Sequence, residues 1–284
     1  MKVIKTIPLL KEEIKKIQQS NETIGFVPTM GYLHEGHLSL IEEARNQTNK
    51  VILSIFVNPL QFGENEDLDQ YPRDFKRDEQ LARLAGVDIL FYPDIAEMYP
   101  SEIPMMIHVS KGVDVLCGKS RPGHFDGVAT VVMKLFNIVQ PTKAFFGQKD
   151  AQQVAVIINM VNAFNIPVEI VRCPTIREED GLAKSSRNVY LTNEERKEAP
   201  IIYNSLLRAS HAINEGMRKK SDVIKLIKDH LSQGNGKIDY VDVLTYPALE
   251  DKGIVSGQVI IAVAYKYKKA RLIDNYIMTV KERD

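Results

Sequence analysis

The chain has 284 residues, 44% hydrophobic and 26% charged, and its 37 basic and 37 acidic side chains cancel. That balance lacks the basic excess with which proteins grip nucleic acid or anionic membranes, and no apolar run approaches the roughly 18 residues of a membrane span. Cys117 and Cys173 lie far apart in a chain long enough to bury a core without disulfides, and Met1-Lys2-Val3-Ile4 soon gives way to Lys11-Glu12-Glu13, unlike a secretory leader. Reduced thiols and a cytoplasmic location are therefore expected.

In chain order, apolar spacing predicts a helix at 8–19, a strand at 23–27, a helix at 37–48, a strand at 51–57, a helix at 74–85 and a strand at 88–92. A helix at 126–139, a strand at 143–146, a helix at 150–164 and a strand at 168–171 follow. Short β-prone runs alternating with amphipathic stretches predict the α/β class: a Rossmann-like, doubly wound parallel sheet over 1–175, with helices on both faces. Beyond Pro174 the texture changes to a helical region at 193–215, a helix at 221–232 and strands at 238–244, 258–267 and 271–277. This predicts a second, smaller α+β domain over 176–284. No internal repeat or low-complexity tract is visible, and Gly234-Asn235-Gly236 is too short for an interdomain linker.

Chemistry concentrates where predicted strands end. The first strand runs into Pro28-Thr29-Met30-Gly31-Tyr32-Leu33-His34-Glu35-Gly36-His37. A glycine turn opening a helix offers free amides and the positive end of a dipole, which suit phosphate, and two imidazoles add donors. A zinc reading is weaker: it needs a third protein ligand, and Glu35 lies between the histidines rather than in His-Glu-x-x-His order. After the second strand, Phe56-Val57-Asn58-Pro59-Leu60-Gln61-Phe62 sets two amides and two aromatics toward the same crevice. Gln61 both donates and accepts, which suits a small hydroxy acid, although Asn-Pro alone also makes a turn. The acidic run Glu64, Glu66, Asp67, Asp69 reads as a solvated face, and Asp74 or Asp78 offers only a weak contact for a hydrated Mg2+.

A third cluster is Phe146-Gly147-Gln148-Lys149-Asp150 followed by Gln152-Gln153. Gly147 permits close backbone approach, Lys149 supplies a mobile charge for phosphate, and Asp150 either takes a ribose hydroxyl or caps the helix. The fourth, Lys184-Ser185-Ser186-Arg187-Asn188, packs two cations and two hydroxyls into a polar loop. Taken alone this is an ordinary surface loop; beside the other three it reads as a clamp for charge developing on a triphosphate.

These segments, with Arg121-Pro122-Gly123-His124-Phe125-Asp126-Gly127-Val128 and Arg271-Leu272-Ile273-Asp274-Asn275, resemble in order the signatures of the pantothenate synthetases along nearly the whole chain. More broadly, His34-Glu35-Gly36-His37 and the Lys184–Arg187 loop look like the paired elements of the nucleotidyltransferase superfamily. The resemblance implies ATP-dependent condensation of (R)-pantoate with β-alanine to give pantothenate, AMP and pyrophosphate through an enzyme-bound pantoyl adenylate. It implies ATP contacts from Met30, Gly31, His34, Gly36, His37, Gly147, Gln148, Lys149, Asp150, Ile176 (through its backbone), Lys184, Ser185, Ser186 and Arg187. His37, His34, Lys149 and Arg187 would act on the phosphates. His37 is the proton donor of the family, yet an imidazolium acting electrostatically fits the same letters. Gln61 and Gln153, with Asn58, would hold pantoate or β-alanine. Mg2+ would be held by phosphates and water with no protein ligand named, the smaller domain would be a lid over ATP, and the protein would be a homodimer. No sequence stripe identifies the dimer interface, and residues 121–128 could equally be a mobile loop near the site.

Overall fold

The computed structural model describes residues 1–63, 68–69 and 71–281. Glu64, Glu66 and Asp67 of the acidic run lie outside the described residues; Asp69 is exposed. In chain order the elements are β1 (Lys2–Ile4), α1 (Ile7–Gln19), β2 (Ile24–Thr29), α2 (Glu35–Gln47), β3 (Lys50–Ile55), α3 (Phe75–Leu84), β4 (Ile89–Phe91), α4 (Ile95–Met98), α5 (Leu116–Ser120), α6 (His124–Val139), β5 (Lys143–Gly147), α7 (Ala151–Ala163) and β6 (Glu169–Cys173). There follow α8 (Asn193–Glu198), α9 (Ile201–Asn214), α10 (Lys220–Leu231), β7 (Lys237–Thr245), β8 (Gly257–Lys266) and β9 (Arg271–Val280). Single 3-10 turns sit at Pro59–Gln61, Gln148–Asp150 and Ser186–Tyr190. No helix among the described residues is long and apolar enough to cross a membrane.

The chain divides into two compact units, the first comprising Met1–Ser110, Arg121–Gln148 and Val156–Pro174. Its sheet is parallel throughout, in the order β1-β4-β3-β2-β5-β6. The central strands are apolar on both faces because both faces are covered: Phe26, Val27, Ile52, Leu53 and Phe145 are all fully buried. Phe136 of α6 meets Phe26 and Phe146 edge-on, each at 6.4 Å between centroids. From β2 the chain steps through β3 to β4 on one side, and β5 then pairs with β2 on the other. The order therefore reverses between β2 and β5, and such sheets bind ligands outside the carboxyl ends of the strands at that point.

The second unit comprises Lys111–Ser120, Lys149–Ala155 and Thr175–Asp284. Its antiparallel sheet, β7-β8-β9, is covered on both faces, and β8 shows the period of two that this requires. Val259, Ile261, Val263 and Tyr265 face a core completed by α9 and α10; Ile260 and Ala262 face Leu116, Ala151 and Ala155. This second layer explains why 111–120 and 149–155, which the sequence reading leaves in the first domain, belong to this unit.

The expected elements appear with ends moved by a few residues, and two differences have clear causes. The helical region at 193–215 is two helices: Ala199 and Pro200 keep helical backbone, but Pro200 has no N–H to give the Arg196 carbonyl, so the hydrogen-bond ladder of α8 stops there and α9 starts afresh. Strand β1 is only three residues long with one buried side chain, too little to show a period.

Candidate active site

In the first unit the carboxyl end of β2 leads through Met30 into a left-handed turn, with φ of +86° at Gly31 and +51° at Tyr32. A buried carboxylate holds it: Asp78 of α3, 1% exposed, accepts from the Tyr32 amide through Oδ2 and the Leu33 amide through Oδ1, both at 2.7 Å. Burial lifts the Asp78 carboxyl above the usual aspartate range, and the Leu33 and Tyr32 amides and Arg77 pull the other way. Asp74 caps α3 by accepting from the Arg77 amide. Both carboxylates thus have a backbone role, Asp78 through both oxygens and Asp74 through Oδ1.

The turn delivers His34 to the N-cap of α2, and the two half-buried histidines form a reciprocal cap. His34 Nδ1 accepts from the Gly36 amide at 3.1 Å, and His37 Nδ1 accepts from the His34 amide at 3.3 Å. Their rings lie 4.1 Å apart between centroids. A backbone N–H can only donate, so both Nδ1 atoms accept, and each neutral ring carries its proton on Nε2.

On the neighbouring strand end, the turn Pro59–Gln61 is capped by Asn58. Asn58 is 1% exposed: its Nδ2 donates to the Gly127 carbonyl at 3.1 Å and to Gln61 Oε1 at 3.4 Å, while its Oδ1 receives the Tyr99 hydroxyl at 2.9 Å. Burial pushes the Tyr99 phenol up to about 12. These bonds tie Asn58 directly to Gln61, the other residue the sequence placed at the substrate from this strand end. Gln61 reaches across to the residue just past β2, its Nε2 lying 3.0 Å from Met30 Sδ. Residues 121–128, for which a mobile loop is one expectation, are a short turn at 121–123 and the start of α6, and they brace the Pro59–Gln61 turn. Gly127 is necessary there, because a Cβ would stand 2.2 Å from the Leu60 carbonyl oxygen. Gly147 and Gln148 complete the unit's set at the end of β5, beside β2.

The second unit holds Lys149, Asp150, Gln153, Ile176, Lys184, Ser185, Ser186 and Arg187. Two successive residues of β9 anchor its cation-bearing segments. Asn275 Nδ2 donates to the Lys149 carbonyl at 2.9 Å. Asp274, 4% exposed, receives both arms of Arg177 at 2.6 and 3.0 Å, and Arg177 also stacks on Tyr203, 3.6 Å from the ring centroid. Arg177 belongs to a small hairpin in which the Lys184 amide donates to the Ile176 carbonyl at 2.9 Å, so the bidentate pair fixes the base of the loop. Above it, Ser185 Oγ caps the 3-10 turn by accepting from the Arg187 amide at 3.2 Å, leaving Arg187 exposed. Lys184 Nζ lies 3.6 Å from Glu178, and Lys149 Nζ 3.5 Å from Asp150. Gln153 is half-buried in the first turn of α7, and beside it Gln152 receives the Cys117 and Gly118 amides on Oε1 while donating to the Gly112 and Val115 carbonyls.

Sequence reasoning missed Asp78, Gln152 and Arg177 as site-building residues. Gln152 stood inside a quoted motif but was given no role, Asp78 was named only as a weak magnesium contact, and Arg177 carries no local pattern at all. Among the described residues no three His, Cys, Asp or Glu side chains converge as a metal site.

Residues 2–277 match the family model described as Pantoate-beta-alanine ligase. The chain is 56% identical over 282 residues to a pantothenate synthetase of Bacillus pumilus, covering 99% of this chain and 98% of that protein, and 55% identical to one of Bacillus cereus. Among solved structures it is similar to pantothenate synthetase from Thermus thermophilus, with a TM-score of 0.91, 43% identity and coverage of 97% of this chain and 99% of that one. It is also similar to a pantoate-beta-alanine ligase of Francisella tularensis, described as complexed with beta-gamma ATP and beta-alanine, with a TM-score of 0.78, 35% identity and coverage of 98% and 97%. The doubly wound sheet and these relatives define an enzyme of the ligase class, one that forms a C–N bond. Within that class the chain belongs to the pantoate-beta-alanine ligase family.

Proposed function

We propose that this enzyme condenses (R)-pantoate with β-alanine at the expense of ATP, forming pantothenate, AMP and pyrophosphate by way of a pantoyl adenylate. The observation that carries the reading is the pair of histidines capping α2 where the strand order reverses, in a family whose Francisella relative is described with an ATP compound and β-alanine.

In the first step a pantoate carboxylate oxygen attacks the α-phosphorus of ATP, the bond to the bridging oxygen breaks, and pyrophosphate leaves with the electron pair. Negative charge grows on the leaving group, and donors already in place stabilise it without reorganisation. His34 and His37 present Nε2–H to phosphate oxygens. An imidazolium would carry a proton on Nδ1 and break the reciprocal cap, which favours neutral, hydrogen-bonding histidines over cationic ones. Lys149, Lys184, Ser185, Ser186 and Arg187 provide the clamp, Met30, Gly31, Gly36, Gly147, Gln148 and Asp150 shape the nucleotide site, and the Ile176 backbone meets adenine. Gln61 and Gln153 hold pantoate through neutral amides, which bind its hydroxyls without a strong ionic pull on the attacking carboxylate. In the second step the uncharged amine of β-alanine attacks the acyl carbonyl, AMP leaves, and the nitrogen gives up a proton.

Magnesium enters this reading with the nucleotide, on phosphate oxygens, since the described residues offer no protein-built site and no step is assigned to a protein-held metal. The family resemblance further supports a cytoplasmic homodimer in which the smaller domain acts as a lid that keeps the adenylate from water.

Pantoate-dependent exchange of labelled pyrophosphate into ATP, without β-alanine, tests the proposal. Exchange that requires pantoate, with His37→Ala slowing it, supports the adenylate route. Folded, ATP-binding protein that shows no exchange rejects it.

A further inference from the structure

Between Gln61 and α6 lies a hydrogen-bonded chain whose proton positions are set from both ends. Arg121 Nη1 lies 3.0 Å from His124 Nε2, and a guanidinium can only donate, so Nε2 accepts and the ring proton stays on Nδ1. His124 Nδ1 in turn lies 2.8 Å from the Gln61 carbonyl oxygen, which can only accept, so the far end demands the same tautomer. Arg121 Nη2 reaches that carbonyl as well, at 3.3 Å. The imidazole is 9% exposed, which strengthens the directional preference of these bonds. Either alternative is opposed: an imidazolium sets a proton against the guanidinium, and the Nε2–H tautomer turns a lone pair toward the carbonyl.

We propose that Arg121 and His124 form a positioning pair for Gln61, the arginine selecting the histidine tautomer and the histidine fixing the Gln61 backbone, so that the side-chain amide is aimed at the hydroxy acid. The pair touches no reacting atom. Its purpose rests on the reading that Gln61 holds pantoate, and the pair itself rests on the geometry alone.

Two measurements on the full-length protein decide it. In 15N spectra of histidine-labelled protein, the His124 ring, assigned by its loss in His124→Asn, is expected as the neutral Nδ1–H tautomer at neutral pH; the Nε2–H tautomer or a cationic ring overturns the pair. In kinetics, His124→Gln and Arg121→Gln are expected to raise the apparent KM for pantoate by about tenfold, the scale of one lost buried hydrogen bond, with little change for ATP. His124→Asn places an amide N–H where Nδ1–H stood and restores most of the loss. Equal effects on both substrates, or no restoration in a folded His124→Asn protein, overturn the proposal. Gln61→Ala separates the two failures: an unchanged pantoate KM there rejects the reading of Gln61, whereas a raised KM there beside an unaffected His124→Gln rejects the pair alone.

Discussion

Asp78 Oδ1 accepts from the Leu33 amide at 2.7 Å across 45 residues of sequence, with its other oxygen on Tyr32 at the same distance. One carboxylate thus holds both amides of a turn that is left-handed at Gly31 and Tyr32, and the histidine cap starts at the next residue.

Replacing Asp78 by Asn keeps the shape but turns a donor toward one of those amides. The expected cost is about 2 kcal/mol of stability, read by denaturant unfolding, with pyrophosphate exchange slowed in the same variant. Full exchange at reduced stability would show that the turn does not govern the histidines.

At Gly127 the approach of α6 to Leu60 leaves no room for a methyl group. Gly127→Ala is expected to destabilise the protein by about 3 kcal/mol and to raise the pantoate KM through Gln61. A thermal melt coincident with wild type would reject the close approach.

Burial pushes the Tyr99 phenol from 10.0 up to about 12. An acid whose folded pKa is raised favours its protonated form, so this contribution is fully present below pH 10.0, is lost as pH rises through about 12, and steepens alkaline unfolding. Tyr99→Phe should remove that part of the slope in unfolding curves across this window. An unchanged slope would mean that the phenol titrates normally.

Cys173 is 3% exposed, and burial, with Glu43 nearby, pushes its thiol up to about 11. Iodoacetamide at about pH 8 should leave it unmodified in the folded chain and label it after denaturation. Peptide mass mapping of native protein that finds an adduct on Cys173 would contradict this.

Local signals carried the strands, the helices and the polar clusters at strand ends, because hydrophobic period and glycine turns act over a few residues. The braces escaped for a physical reason: Asp78 acts 45 residues from Leu33, His124 63 residues from Gln61, and Arg177 97 residues from Asp274. A window of about 11–18 residues registers none of these pairs. Asn58 adds contacts no local pattern foretells, since it is buried against Gly127 and Tyr99, 69 and 41 residues away.

The anchors on β9 also set an order of events during synthesis. Lys149 leaves the ribosome 126 residues ahead of Asn275, and Arg177 97 residues ahead of Asp274. A nascent chain therefore carries Lys149 and the loop after Arg177 without these anchors until β9 pairs along β8. A product terminated before β9 lacks both Asp274 and Asn275, so these two anchors arrive together in a single late step rather than accumulating with length.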